Sequence, residues 1–306
     1  MPPQLLAMVV IALLGAGLRR AGILTRSHLE RLVHLVFRIS LPATILVSID
    51  RLTVASDLWR LPVTAWLVIL SLLPCAWLLS RRLDLPRAAA GTVLVGSSVM
   101  NMAFFAYAVV LSLFGEAGLG RALFFDLGHG LLVFTLIYGI AVRFGGRATS
   151  PPAAIGRFLG SPPLWAIIVS TGLRACEIHL PDWGRGLLFP LHLTTMPLAS
   201  LILGLSIDMQ TLSQRVAVAA AAVMLRMGGG GVMGWWWSGL LGLSDFDRTI
   251  VTLSAAMPVG LNTLVFAAEE ELDQDLAAAM ITLSIGIGLL LLPALPWLLG
   301  LLGRLA

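Results

Sequence analysis

Asn101, Asn262, Asp126, His129 and Arg226 all fall inside long apolar stretches, where every polar side chain must find a partner. An asparagine amide offers two donors and an acceptor, so amides held there suit an anionic ligand. Asp126 and His129 stand three residues apart. On a helix that spacing puts them on one face, where an acid beside an imidazole makes either a proton relay or a structural hydrogen bond. Arg226 lies in VMLRMGGGGVMGWWW, and an unpaired arginine at that depth costs at least about 2.5 kcal/mol. It needs an acidic side chain or a bound anion.

Asn262 belongs to MPVGLNTLVFAAEEELD, Met257 to Asp273. Pro258 cannot donate a backbone hydrogen bond and crowds the preceding turn, and Gly260 adds conformational freedom. Several amides and carbonyls there lose their helical partners, so the break must face protein or a watery cavity. Asn262 then sits one turn into a second half-helix, whose N-terminus carries the positive end of the dipole. A carboxylate or another small anion fits such a place.

The elements that hold these residues are membrane-spanning helices. The chain is 58% hydrophobic and 12% charged, with a mean hydropathy of +0.95, far from the balance of soluble domains. Ten apolar blocks of about 20 residues, the length that crosses a bilayer, are expected. They run from Gln4 to Leu18, Leu32 to Ile49, Trp59 to Leu79, Ala89 to Leu113, Leu119 to Val142, Leu164 to Leu180, Leu187 to Ile207, Val216 to Leu241, Thr249 to Ala268 and Leu276 to Leu302. The fold class is therefore an all-α integral membrane protein, with no sizeable soluble domain.

A net charge of +4 raises the question of nucleic acid, but the arginines are dispersed over loops, which excludes a nucleic-acid-binding face. In alternate loops they number eleven on one side and seven on the other, which puts both termini outside the cell membrane. The segment 144–161 has linker composition. After it, GLRACEI (172–178) echoes GLRRAGI (17–23) and TMPLASL (195–201) echoes SLPATIL (40–46). Two five-span halves, 1–143 and 162–306, inserted in opposite senses make the inverted-repeat plan of secondary transporters.

The run LFGEAGLGRALFFDLGHGLLVFTL (113–136), together with AAMPVGLNTLVFA, resembles the auxin efflux carrier family, the bacterial relatives of the plant PIN-FORMED carriers. The resemblance covers essentially the whole chain. It implies ten helices in two inverted repeats, with the fourth and ninth broken and crossed, and an organic anion held at the crossing. Asn101 matches the family's first asparagine, and Pro258 and Asn262 match its second proline and asparagine; Asp126 matches an acidic position, whereas His129 stands where relatives often have asparagine. Where relatives follow the first asparagine with glycines and a proline, this chain has Ala103, Ala106 and Ala108. On those residues the fourth span is expected to be continuous or merely bent.

The expected function is thus a permease moving small organic anions such as carboxylates by alternating access, coupled to protons or sodium, as a monomer or homodimer in the lipid bilayer. A sodium-coupled symporter of the bile-acid type and a divergent sensor without transport are the alternatives. No metal-ligand cluster, nucleophile motif or phosphate loop occurs, so neither an enzyme nor a cofactor is expected. Cys75 and Cys176 read as small buried hydrophobes, the glycines 228–231 as a close helix contact or a hinge, and the acids 269–275 as a solvated loop.

Overall fold

The computed structural model describes residues 3–50, 58–146, 159–160 and 162–297. Most of the segment 144–161 lies outside them.

The described residues form helices joined by short turns, and their one β-type pairing is an isolated antiparallel bridge between Met100 and Val259. The helices are α1 (Pro3–Arg20), α2 (Arg26–Leu35), α3 (Leu41–Asp50), α4 (Arg60–Arg82), α5 (Arg87–Ser98), α6 (Tyr107–Leu132) and α7 (Tyr138–Phe144). They continue with α8 (Pro162–Ala175), α9 (Asp182–Leu205), α10 (Met209–Val223), α11 (Gly230–Leu240), α12 (Asp245–Ala255), α13 (Asn262–Glu269) and α14 (Gln274–Leu291). Wider π-helical turns join α2 to α3, α6 to α7 and α10 to α11, and another, Met102–Ala106, precedes α6.

Seven helices among the described residues are long and apolar enough to cross a membrane, with only 22–56% of each span buried. Their remaining apolar surface, Met224, Trp183 and Leu290 included, is exposed, and lipid is the solvent that tolerates it. One of the seven, Met102–Phe144, is 43 residues long because two helices meet at Gly115, whose φ of 62° and ψ of −161° only glycine adopts readily. The short α5 and α12 are short because each is interrupted.

The helices sort into two groups. In the first, α1 packs on α9, and α3 packs on α8 and α9; in the second, α4 packs on α5, α6 and α11, α11 on α12, and α10 on α14. The α1–α9 contact is backbone-close, since a side chain on Gly15 would meet the Leu201 carbonyl and one on Gly204 the Ala12 carbonyl.

Two expectations change. Cys75, in α4, and Cys176, in the turn after α8, are exposed. Glu270 is fully buried, with its Oε1 accepting from the Tyr138 hydroxyl at 2.5 Å. The helix α13 ends at Glu269, and in the turn that follows Glu270 faces inward while Glu271, at φ 58°, is exposed. Asp273 does cap α14, accepting from the Leu276 amide at 3.0 Å, and pairs with Arg215 at 3.1 Å. Because Tyr138 supplies a hydrogen bond to a buried carboxyl, Tyr138→Phe is expected to destabilise the protein by about 1–3 kcal/mol, read as an earlier thermal unfolding in detergent.

Candidate functional site

Both interruptions that the resemblance implies exist, and they meet. The fourth-span expectation is corrected: α5 ends at Ser98, Val99 is extended (ψ 118°), and Asn101 is non-helical (φ −84°, ψ 75°). Ala103, Ala106 and Ala108 lie beyond the break, in helical turns, where alanine is the favoured residue. Their small side chains never bore on whether the chain breaks.

Tertiary hydrogen bonds hold this break open. The Asn101 amide donates to the Pro258 carbonyl (2.9 Å), the Gly260 amide donates to the Val99 carbonyl (3.0 Å), and the Met100 amide donates to His129 Nε2 (2.9 Å). Across the bridge, the Val259 amide donates to Ser284 Oγ at 3.1 Å. The Ala106 amide returns to the Asn101 carbonyl at 3.0 Å, the five-residue step that makes the following turn π-helical. Backbone groups that a lipid environment would leave unpaired are thus satisfied by the other interruption and by two side chains.

Gly260 serves a purpose other than the freedom expected of it. A Cβ there would lie 2.7 Å from the Met100 carbonyl oxygen and 2.7 Å from Val99 Cγ1, so glycine is what lets the two backbones pair.

Beyond the breaks, the chain resumes helix at Met102 and at Asn262, and both new N-termini face one cavity of about 100 Å³. That volume holds several water molecules or one small organic ion. Asn101, Asn262, Gly260, Asp126 and His129 line it, with Tyr107 and apolar side chains such as Phe37, Phe104, Phe134 and Ile167. The side-chain Nδ2 of Asn101 is buried and has no hydrogen-bond partner among the described residues. The cavity lies between the two helix groups, since Leu41, Pro163 and Leu164 come from α3 and α8 and the asparagines from the other group.

Asp126 and His129 do share a face, and they work through a third residue. His129 Nδ1 lies 2.8 Å from Asp126 Oδ1, and the Tyr107 hydroxyl donates to Asp126 Oδ2. Since His129 Nε2 accepts from the Met100 amide, the proton of a neutral imidazole sits on Nδ1 and is donated to Asp126. A proton added to Nε2 would displace the Met100 hydrogen bond and so disturb the bridge itself.

Pro258 and Arg226 do not line the cavity. Pro258 contributes its carbonyl to the bridge. Arg226 is 0% exposed, and among the described residues no acid partners it: its guanidinium donates to the Ser97 carbonyl at 3.2 Å and to the Ala255 carbonyl. The glycine run does provide close contact, since a side chain on Gly230 would collide with the Ala255 carbonyl and with the guanidinium.

Tyr107 and Ser284 were not singled out by sequence. One hydroxyl on an apolar helix is commonplace, and only the fold shows that these two reach Asp126 and the bridge.

An all-helical chain whose apolar helices enclose a polar, partly unsatisfied cavity has the makings of a membrane transport protein. The chain belongs to the membrane transport protein family that includes the auxin efflux carriers, whose family model matches residues 3–150 and 152–296. It is 28% identical over 290 residues to an uncharacterized transporter of Methanothermobacter thermautotrophicus, covering 94% of this chain and 95% of that protein. To an uncharacterized transporter of Methanocaldococcus jannaschii it is 28% identical over 302 residues, covering 96% and 97%. Both relatives are archaeal.

Proposed function

We propose that the chain crosses the cell's inner membrane ten times, as inverted repeats 1–143 and 162–306 with both termini outside, and moves a small organic monoanion by alternating access. In support, the two interruptions fall in the fourth and ninth of the ten apolar blocks read from the sequence, which would be corresponding positions of a five-span repeat. The cavity at the boundary of two helix groups suits a rocking of one group against the other.

The observation that carries the reading is the charge arrangement in the cavity. Two half-helix N-termini with Asn101 and Asn262 line it, as does Asp126, and no arginine does among the described residues. Dipole ends and amides together balance about one negative charge. A dicarboxylate would leave one charge unmatched at low dielectric. Bringing even a monoanion beside an ionised Asp126 is unfavourable, so the anion enters with a proton taken up by the Tyr107–Asp126–His129 group. The substrate is thus a proton-coupled monocarboxylate or an anion of like size.

If one proton is bound with the anion, affinity rises as pH falls, by up to about tenfold per unit. Equilibrium binding of monocarboxylates to purified protein between about pH 5 and pH 8 tests this. Wild type is expected to bind more tightly at the acid end. Asp126→Asn, which removes the competing charge, is expected to bind with little dependence on pH. Equal affinity of the wild type across that range would refute the coupling.

A further inference from the structure

The interrupted helices have C-terminal ends as well, and these meet away from the cavity. The last carbonyls of α5 and α12 have no onward helical partners, and each helix end carries the negative pole of its dipole. In broken-helix transporters, half-helix C-termini and unwound carbonyls are where a coupling cation is held. In this protein the place is taken. The Arg226 guanidinium reaches Ser97 O of α5 with Nη1 and Ala255 O of α12 with Nη2.

Arg226 enters from the π-helical turn Met224–Gly229, near the middle of the span Arg215–Leu240, and is fully buried. No carboxylate pairs with it among the described residues, so its charge is balanced by carbonyl oxygens alone. Gly230 keeps clear the space that the guanidinium fills. Further oxygens are at hand: the hydroxyls of Ser97 and Ser254, in the last turns of the same two helices, are buried without hydrogen-bond partners among the described residues. Carbonyls and hydroxyls at the negative ends of two helices are the hard oxygen ligands that alkali-metal ions take.

We propose that Arg226 is a resident cation occupying a latent alkali-metal site, and that removing its side chain opens that site to sodium. The site stands on these contacts alone. Its consequence for coupling rests on the transport reading above: with the cation position filled from within, no sodium ion takes part, and the proton group in the cavity is left as the coupling element.

The test needs no substrate. Thermal unfolding of wild type, Arg226→Ser and Arg226→Lys is followed in detergent while sodium chloride replaces N-methylglucamine chloride at constant ionic strength. Wild type is expected to be indifferent to sodium. Arg226→Ser is expected to unfold earlier than wild type in N-methylglucamine and to regain a few degrees, saturably, in sodium; if it survives purification only in sodium, that is the same result in stronger form. Arg226→Lys, which keeps the charge, is expected to stay indifferent and to unfold above Arg226→Ser. A saturable sodium shift in wild type, the absence of any sodium gain in Arg226→Ser, or failure of that variant to fold in either salt while the lysine variant fares no better would each overturn the proposal. None of these outcomes bears on whether the cavity binds an anion, which the binding experiments decide separately.

Discussion

Asn262→Ala is expected to weaken anion binding by tenfold or more with little change in thermal stability. The side chain stands at the first residue of α13, faces the cavity, and makes no hydrogen bond to other described residues, so its removal breaks nothing in the unliganded fold. A hydrogen bond to a charged group contributes about 1.5–3 kcal/mol, equivalent to roughly 10–150-fold in affinity. Asn101→Ala is expected to act in the same direction, because its side-chain Nδ2 is buried beside the same cavity without a partner among the described residues. If both amides hold one anion, the double variant loses less than the sum of the single losses would require, since the anion is then released to a site with neither amide. Titration of the three variants with one monocarboxylate measures this. Wild-type affinity in Asn262→Ala would remove that residue from the site.

Gly260→Val is expected to harm both fold and binding. Its side chain would have to enter a space bounded at 2.7 Å by the Met100 carbonyl oxygen and by Val99 Cγ1, and both belong to the opposing interruption. Overpacking of this kind costs typically 1–3 kcal/mol. The damage goes further here, because separating the backbones also breaks the hydrogen bonds from the Gly260 amide to Val99 and from the Asn101 amide to Pro258. Lost pairing in a membrane interior leaves amides and carbonyls unsatisfied. The variant should unfold several degrees earlier and show no anion-dependent stabilisation. A valine variant that melts and binds like wild type would mean the two interruptions do not pair closely.

The ninth-span break was legible in sequence because its cause is local: Pro258 lacks an amide proton wherever it sits. The fourth-span break was not, because its cause is remote. Ser97, Ser98 and Val99 carry no breaker, and the helix is opened by the Pro258 carbonyl, the Gly260 amide and His129, residues 29 or more positions away in the chain. Local propensity is a weak prior where tertiary hydrogen bonds decide. The same holds for Arg226. Its depth in an apolar span showed that a partner was needed, and only the fold brings Ser97 and Ala255 together to provide it. Glu270 illustrates the converse, since a cluster of acids read as solvated hides the member that turns inward to Tyr138. Asp126 and His129 were readable as a pair from their spacing, while Tyr107, nineteen residues earlier, joined them only through the fold.

The central claim, that the cavity between the two interruptions holds one small monoanion, is tested most directly by ligand-induced thermal stabilisation of purified wild type across matched monocarboxylates and dicarboxylates, with Asn262→Ala in parallel. The expected result is a saturable rise with at least one monocarboxylate, larger at acid pH, absent with the dicarboxylate of the same carbon skeleton and strongly reduced in Asn262→Ala. Stabilisation by dicarboxylates alone, or a shift of equal size in wild type and Asn262→Ala, would contradict it.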